Sequence, residues 1–366
     1  MVKKVLHLIN GEFYSGAERV QDLLALRLPE FGWQVGFACL RPGHFASERK
    51  ALHAPLHEIP MSSRFDFSPV VKVSRLLREG GYEILHTHTP RSALIGRFAA
   101  GKIGIPMVHH IHSPTRRDSE NPVRNLLNTV VENWSLSRVK RLVAVSSSLR
   151  DYLLGSGFED KRIAVVPNGV PVIQAESRWQ LPKNEWVIGT VALFRPRKGL
   201  EILLQALASL IKEGVPVRLR AVGGFETTEY QQSVLALVES LGLSRSIDWT
   251  GFTSNVNLEF EKMHLFVLPS LYGEGLPMVV IEAMAAGLPV IGSRVEGIPE
   301  VLGNNEFGMV VEPGNPDSMR DGIFQMISLG GGAERMAIAG HARQRDAYSD
   351  EAMARGVAEV YRGVLN

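Results

Sequence analysis

The stretch GEGLPMVVIEAMAAGLPVI, residues 273–291, is almost entirely small and apolar, yet it contains two carboxylates, Glu274 and Glu282. Pro277 suits the first position of a helix, and the glycine that follows the alanines suits its end. The pattern therefore predicts a short helix over 277–286, with Glu274 in the loop before it and Glu282 inside it. A buried carboxylate without a partner is costly, so both acids are expected to have polar partners.

The start of this predicted helix is expected to bind an anion, because its first N–H groups lack partners within the helix and carry partial positive charge. A carboxylate on each side suits an elongated ligand with hydroxyl-bearing ends and phosphates between them, such as a nucleoside diphosphate sugar. Glu282 would accept hydrogen bonds from ribose and Glu274 from the sugar. The alternative is two surface glutamates stabilised by the helix dipole. The diphosphate would meet the backbone of the residues that begin the helix, Gly275, Leu276, Pro277 and Met278.

Length and composition indicate a globular protein of two domains. The chain has 366 residues, of which 45% are hydrophobic and 21% charged, and single hydrophobic cores rarely grow beyond about 250–300 residues. Short apolar runs alternate with amphipathic stretches, which is typical of a parallel sheet with helices on both faces. The alternation restarts after a polar stretch at 171–185. Ligands of such sheets bind at the carboxyl ends of the strands, so two domains facing each other would form a binding cleft.

The predicted strands fall into two groups. Those of the first domain are 5–9, 35–40, 82–88, 107–112, 141–146 and 162–167, and those of the second are 186–193, 217–224, 265–270, 289–293 and 309–313.

Charge and cysteine content bear on partners and location. The single cysteine, Cys39, excludes an internal disulfide and fits a cytoplasmic protein. No apolar run is long enough for a membrane span.

Residues 1–172 contain 23 Lys and Arg against 15 Asp and Glu, whereas the remainder is acidic. The basic half favours an anionic partner, and peripheral contact with the cytoplasmic face of an anionic membrane is one expectation; a solvated basic face is the other. Several cations fall in one segment: Arg116, Arg117, Arg124, Arg138, Lys140 and Arg141.

The opening stretch resembles the E-x7-E region of retaining glycosyltransferases of family 4, which have the two-domain GT-B fold, and the resemblance extends over nearly the whole chain. It implies transfer of a sugar from a nucleotide donor with retention of anomeric configuration, without a cofactor or a metal. A UDP-sugar is favoured as donor over a GDP-sugar. A glycan or lipid-linked acceptor is expected, in polysaccharide, lipopolysaccharide or glycolipid biosynthesis, and no nucleic acid.

The same resemblance divides the chain. Residues 1–170 would form the acceptor-binding Rossmann-like domain and 171–345 the donor-binding one. Residues 346–366 would form a final helix that packs back on the first domain.

The segment ALFRPRKGL resembles a family loop in which an arginine and a lysine neutralise the diphosphate. Lys198 and Gly199 match that loop, but Leu193 occupies the place of the arginine. Arg195 or Arg197 would substitute, with Arg195 preferred. The alternative is a solvated basic turn.

Three further residues receive roles from the resemblance. Gly16, in SGAERV, matches the second glycine of a family pair, whose first is replaced by Ser15, and would let the backbone approach the donor phosphate or the acceptor. His112 ends a predicted strand and would contact the reacting sugar, and Phe252 would lie near the base. Their alternatives are a plain turn, a buried histidine and a core aromatic. Glu296 replaces the first glycine of a family G-G-I-P-E motif.

His86 and His88 close the strand before the one that ends at His112. Clustered histidines suggest metal binding, but no carboxylate or cysteine lies beside them at ligand spacing, so no metal is expected.

His112, Glu274 and Lys198 are the candidates for catalysis. In the family mechanism the nucleotide diphosphate leaves from the face that the acceptor attacks, and its phosphate oxygen takes the acceptor proton. Lys198 and the helix amides would stabilise the leaving group. Two alternatives stay open: a nucleotide-sugar epimerase of similar fold, and a non-catalytic binder of sugar nucleotides. A dehydrogenase is disfavoured because no G-x-G-x-x-G follows the first strand.

Overall fold

The chain divides into two compact α/β units. The computed structural model describes residues 2–63, 65–113, 133–173 and 179–366. One unit comprises Met1–Gly169 together with Ser349–Asn366, and the other comprises Val170–Tyr348.

The first unit is built on a seven-stranded parallel sheet with the order β3-β2-β1-β4-β5-β6-β7. Its central strands are buried along most of their length, as expected when helices cover both faces, and their residues are mainly apolar, with buried histidines among them. The strands are β1 Lys3–Ile9, β2 Trp33–Cys39, β3 Leu56–Glu58, β4 Ile84–Thr87, β5 Met107–Ile111, β6 Arg141–Ala144 and β7 Ile163–Val165.

Six described helices belong to this unit, and the last of them comes from the end of the chain. They are α1 Gly16–Arg27, α2 His44–Glu48, α3 Ser68–Glu79, α4 Pro90–Ile103, α5 Ser147–Gly155 and α13 Asp350–Leu365. The final helix packs against α1 and β6, and the ring of Tyr361 lies 4.9 Å from that of Trp33. It begins at Asp350 because the Ser349 hydroxyl caps it by accepting from the Ala352 N–H at 3.2 Å.

The second unit is built on a six-stranded parallel sheet with the order β10-β9-β8-β11-β12-β13. Its strands are β8 Trp186–Val191, β9 Val217–Val222, β10 Ile247–Gly251, β11 Leu265–Leu268, β12 Val290–Ser293 and β13 Met309–Val311. Its helices are α6 Leu200–Lys212, α7 Thr228–Ser240, α8 Val256–Phe260, α9 Met278–Ala285, α10 Ile298–Val301, α11 Pro316–Ser328 and α12 Gly331–Ala347.

The predicted alternation of strands and helices is confirmed. Each predicted strand is present, and two more, Leu56–Glu58 and Ile247–Gly251, were not predicted. Both are only partly buried, so neither forms the continuous apolar run that marks a central strand.

The helix predicted over 277–286 forms as Met278–Ala285. The placement of Pro277 in its first position is wrong: Pro277 is the N-cap residue, with extended backbone at ψ 115°. The glycine predicted after the helix end, Gly287, does adopt the left-handed conformation, at φ 73°.

Candidate active site

The loops after three neighbouring strands of the second unit carry the charged residues of the candidate site. β8, β11 and β12 lie side by side in the parallel sheet, so their carboxyl ends share one edge. Lys198 ends the 3₁₀ turn Pro196–Lys198 after β8. Glu274 follows β11 and Glu296 follows β12.

Glu274 is buried at the centre of this cluster, with only 5% of its surface exposed. Three side chains reach one of its carboxylate oxygens, Oε1. The Lys198 ammonium makes a short hydrogen bond to it, the Ser270 hydroxyl donates to it at 2.6 Å, and Arg197 Nη1 lies 3.8 Å away. A buried carboxylate is stable only with such partners.

Burial shapes the charge of both cations. It lowers the pKa of Lys198, and the Glu274 carboxylate opposes this by favouring the ammonium form. Burial also lowers the pKa of Arg197, whose Nη1 donates to the Gly273 carbonyl at 3.0 Å. The site therefore holds two cations in a partly desolvated environment around one carboxylate.

Arg195, the residue preferred as the second cation of this loop, has a different partner from Arg197. Arg195 Nη1 instead pairs with Glu226 Oε1 at 3.1 Å, and both side chains are substantially exposed. Arg197 lies two residues after Arg195, within the 3₁₀ turn that begins at Pro196. This turn directs the Arg197 side chain to Glu274.

Two glycines let the loops approach one another closely. Gly199 has φ 65°, and a Cβ on it would lie 2.2 Å from the Pro269 carbonyl oxygen. A Cβ on Gly297 would lie 2.3 Å from the Gly275 carbonyl oxygen. Neither position has room for a side chain without moving backbone, so the positions of Lys198 and Glu274 depend on both glycines.

Glu296 also connects these loops. Its backbone is left-handed, with φ 36°, which is unfavourable for a residue with a side chain. Its Oε2 accepts a hydrogen bond from the Glu274 N–H at 3.0 Å, and the Gly297 N–H donates to the Glu274 carbonyl at 3.2 Å. The carboxylate that replaces the glycine thus holds the loop of Glu274.

The start of α9 is buried with its flanking carboxylates. Glu282 is 8% exposed, so the alternative of two solvated surface glutamates is wrong. The four residues expected to meet a diphosphate, Gly275, Leu276, Pro277 and Met278, are all buried beside them.

The loops expected to approach the base meet at the same edge. An isolated bridge joins Phe194 to Phe225, and another joins Gly223 to Gly251. Phe252 follows directly and is 86% exposed, so it is not a core aromatic.

In the first unit, Gly16 is the first residue of α1, and a Cβ there would meet nothing within 4 Å. Packing therefore does not require this glycine. Ser15, in place of the family's first glycine, donates from its hydroxyl to Glu18 Oε2 at 2.7 Å, which fixes the helix start.

His112 belongs to a larger set of rings than the sequence suggested. Its Nε2 lies 3.3 Å from His88 Nδ1, and His88 Nε2 lies 3.1 Å from His7 Nδ1. The Tyr361 hydroxyl lies 3.0 Å from His7 Nε2 and 2.6 Å from His86 Nδ1. Burial lowers the pKa of His7 to about 3 and that of His112 to about 4, so these rings are neutral at pH 7.

The basic segment of the first half is only partly described. Arg116, Arg117 and Arg124 lie outside the described residues, as does Pro114 after His112. Arg138 and Lys140 are exposed. Among the described helices, none combines the length and apolar character needed to cross a bilayer.

Sequence reasoning did not single out Ser270 or Tyr361. Ser270 lies three residues before Gly273, and its position two residues beyond the end of β11 was the available signal. Tyr361 carried no such signal, because a tyrosine on an amphipathic helix usually serves packing.

Two parallel Rossmann-like units, with a lysine, an arginine and paired glutamates at strand ends of the second, define the GT-B class of sugar-transferring proteins. Two family models match the chain: glycosyltransferase family 4 over residues 14–173, and glycosyl transferases group 1 over residues 173–345.

Named proteins with similar sequences are also glycosyltransferases. A phosphatidyl-myo-inositol mannosyltransferase of Mycobacterium leprae is 27% identical, over 88% of this chain and 84% of its own. A UDP-Gal:alpha-D-GlcNAc-diphosphoundecaprenol alpha-1,3-galactosyltransferase of Escherichia coli is 24% identical, over 88% and 87%. The structure of Anabaena HepE in complex with UDP superposes with a TM-score of 0.87 at 20% identity, over 98% of this chain and 100% of that one.

The chain belongs to the family-4 glycosyltransferases and has the GT-B fold. It is an enzyme that transfers a sugar from a nucleotide-sugar donor.

Proposed function

We propose that the protein transfers a sugar from a UDP-sugar to a lipid-linked acceptor with retention of anomeric configuration. The UDP preference is supported by the UDP complex of a protein with the same fold. The acceptor class is supported by the relatives, whose names specify a phosphatidylinositol and a diphosphoundecaprenol acceptor.

The observation that carries the proposal is the buried cluster of Lys198, Arg197 and Glu274. Two cations fixed at strand ends suit a leaving diphosphate, whose negative charge grows as the bond to the sugar breaks. The side-chain contacts to the Glu274 carboxylate described above all involve Oε1. Its Oε2 is the proposed acceptor for a hydroxyl of the donor sugar.

The remaining roles follow the family resemblance. Glu282 binds the ribose hydroxyls, and the backbone from Gly275 to Met278 binds the diphosphate. Phe252, which is exposed beside the loops that meet at this edge, lies against the base.

In the first unit, His112 contacts the donor sugar and Gly16 lets the backbone approach the donor phosphate or the acceptor. Residues of this unit bind the acceptor. The exposed cations Arg138 and Lys140 support peripheral contact with anionic lipid.

The donor is tested by thermal shift with UDP-, GDP- and ADP-sugars, because a ligand that binds only the folded state raises the melting temperature. A UDP-sugar is expected to give the largest shift. Lys198→Ala should remove most of it, whereas Lys212→Ala, which removes an exposed lysine at the end of α6, should retain it. A larger shift with GDP-sugars would refute the UDP assignment.

Transfer is tested with the donor found above and two lipid acceptors, a phosphatidylinositol and an undecaprenyl diphosphate sugar. Product that forms only with an acceptor supports transfer, whereas turnover of the donor sugar to its epimer without an acceptor would support the epimerase alternative. Glu274→Gln should reduce transfer about 10²–10³-fold, and Glu239→Gln, at an exposed glutamate of α7, should leave it unchanged. Full transfer by both Glu274→Gln and Lys198→Ala would contradict the proposed site.

Membrane contact is tested by sedimentation with vesicles that contain anionic lipid. Binding should weaken as salt is raised. Protein that stays in the supernatant at low salt would exclude this part of the proposal.

A further inference from the structure

Five histidines of the first unit lie on one face of three neighbouring strands. His7 pairs in register with His86 across β1 and β4, and residues two apart on a strand share a face. Neighbouring rings are close: the centroids of His86 and His88 lie 4.3 Å apart, and those of His110 and His112 lie 4.5 Å apart. His109 hydrogen-bonds to Thr87 instead and is not one of these five.

Three of these rings, His88, His110 and His112, each place one nitrogen within 4.8 Å of the other two. His88 Nδ1 and His112 Nε2 are 3.3 Å apart. Zinc–nitrogen bonds of about 2.0–2.1 Å at a tetrahedral ion hold two ligand nitrogens about 3.3 Å apart. Two of the three nitrogens are therefore already at the spacing of metal ligands.

His110 supplies a second, independent observation. Its ring is completely buried, and within the described parts of the chain neither of its nitrogens has a hydrogen-bond partner. A buried polar group without a partner is destabilising. Both of its nitrogens are also inaccessible to solvent, so a bound ion would give this ring the partner that the described residues do not provide.

A second group of three histidines, His7, His86 and His88, is less suitable. The Tyr361 hydroxyl lies within hydrogen-bond distance of His7 Nε2 and His86 Nδ1. Because His7 Nδ1 also lies 3.1 Å from His88 Nε2, both nitrogens of His7 already have partners. All three residues of this group are buried, whereas His112 in the first group is partly exposed. Of these two groups the first is therefore the one that reaches the surface, as an open zinc site with a water ligand requires.

We propose that His88, His110 and His112 bind one divalent transition-metal ion of the zinc class, with water as the fourth ligand. Imidazole suits such ions, and the three rings must be neutral to bind them. The proposal goes beyond the proposed function and departs from the expectation, based on sequence spacing, that the protein has no metal. It assigns the ion no part in the transfer reaction, and it requires that the proposed contact of His112 with the donor sugar be made by its backbone, because the ring binds the ion.

The test uses the full chain without a histidine tag, after treatment with a chelator. Co²⁺ is titrated while the visible spectrum is recorded, because tetrahedral cobalt absorbs far more strongly than octahedral cobalt. One equivalent should bind with a tetrahedral spectrum, and Zn²⁺ should displace it. Zn²⁺ should also raise the melting temperature.

His110→Phe is the decisive variant, because it keeps a buried aromatic ring beside the other rings and removes both nitrogens. It should lower Co²⁺ affinity by at least about 100-fold while the metal-free variant melts no lower than the metal-free wild type. His44→Asn, which changes an exposed histidine on α2, should bind like the wild type. Failure of the wild type to bind one equivalent, or equal binding by His110→Phe, would overturn the proposal and leave His88 and His112 as an ordinary hydrogen-bonded pair.

Discussion

Replacement of Arg197 by glutamine should impair transfer far more than the same change at Arg195. Both arginines belong to one loop, and the sequence favoured Arg195. The structure places Arg197 Nη1 3.8 Å from Glu274 Oε1 and leaves its side chain 23% exposed. Arg195 instead pairs with Glu226, and these side chains are 33% and 43% exposed.

The expected magnitudes differ for a physical reason. At about 4 Å and an effective dielectric of about 20, two unit charges attract by about 4 kcal/mol before desolvation is subtracted. Removal of one preorganised group that stabilises a leaving group costs about 2.7–4 kcal/mol, which is about 10²–10³ in kcat. An exposed ion pair is worth about 0–1 kcal/mol, so Arg195→Gln should change kcat less than about fivefold.

The assay is steady-state release of the nucleoside diphosphate at saturating acceptor, with donor affinity measured separately by calorimetry. Arg197→Lys should recover part of the activity, since it restores the charge but not the planar fork. A larger loss in Arg195→Gln than in Arg197→Gln would refute the placement of the second cation and restore the preference drawn from the sequence.

Two further changes test the loops around the site, and a third tests His264 at the opposite, amino end of β11. Gly199→Ala should lower the free energy of unfolding by more than about 2 kcal/mol in urea, because the residue is left-handed and its Cβ would collide with the Pro269 carbonyl; unchanged stability would contradict this. Glu296→Gly should be about 1 kcal/mol more stable than Glu296→Ala, because both lose the hydrogen bond but only glycine relieves the φ of 36°; an alanine variant equal to the glycine variant would exclude strain there. Burial lowers the pKa of His264, whose Nδ1 accepts from the Val187 N–H at 2.9 Å. Below pH 6.5 the unfolded chain therefore binds a proton at this residue that the folded chain does not, and the free energy of unfolding should fall on acidification. The variant His264→Asn should weaken that pH dependence. Identical pH dependence of unfolding in wild type and His264→Asn would contradict the last assignment.

The fold was largely predictable because it follows from patterns that the sequence displays directly. A central strand such as β11 is a short, continuous run of apolar residues, β1 departs from this only at its two lysines and His7, and amphipathic helices separate the strands. The edge strands Leu56–Glu58 and Ile247–Gly251 were not predicted because both are partly exposed to solvent. A partly exposed strand does not need a continuous run of apolar residues.

The site was predictable only in part. The positions of Glu274 and Lys198 follow from motif spacing, but the choice between Arg195 and Arg197 depends on the direction that a 3₁₀ turn gives each side chain. Such a direction is set by backbone angles that a list of residues does not contain. The role of Glu296 was likewise hidden, because its hydrogen bond joins loops that are 22 residues apart.

The cluster of histidines was even less predictable from the sequence. No carboxylate follows His88 or His112 at ligand spacing, which argued against a metal. Spacing along the chain says little about a site assembled from parallel strands, since each strand contributes one or two residues and the sheet supplies the proximity.

The charge state of Lys198 leads to a last prediction, on the pH dependence of transfer. A buried ammonium tends to lose its proton, and burial does lower the pKa of Lys198. Glu274 is the largest influence in the opposite direction, because its carboxylate stabilises the charged form. If protonated Lys198 stabilises the leaving diphosphate, Glu274→Gln removes more than a contact with the sugar: it also lowers the pKa of Lys198 further.

The alkaline limb of kcat/KM against pH should therefore move to lower pH in Glu274→Gln. Arg197→Gln should move it in the opposite direction, since the neighbouring cation disfavours the ammonium form. In Lys198→Arg the limb should disappear over the same range, because arginine does not titrate there. An alkaline limb that is identical in the wild type and Glu274→Gln would show that Lys198 is not the group that titrates, and that the ion pair fixes geometry without setting the charge of the site.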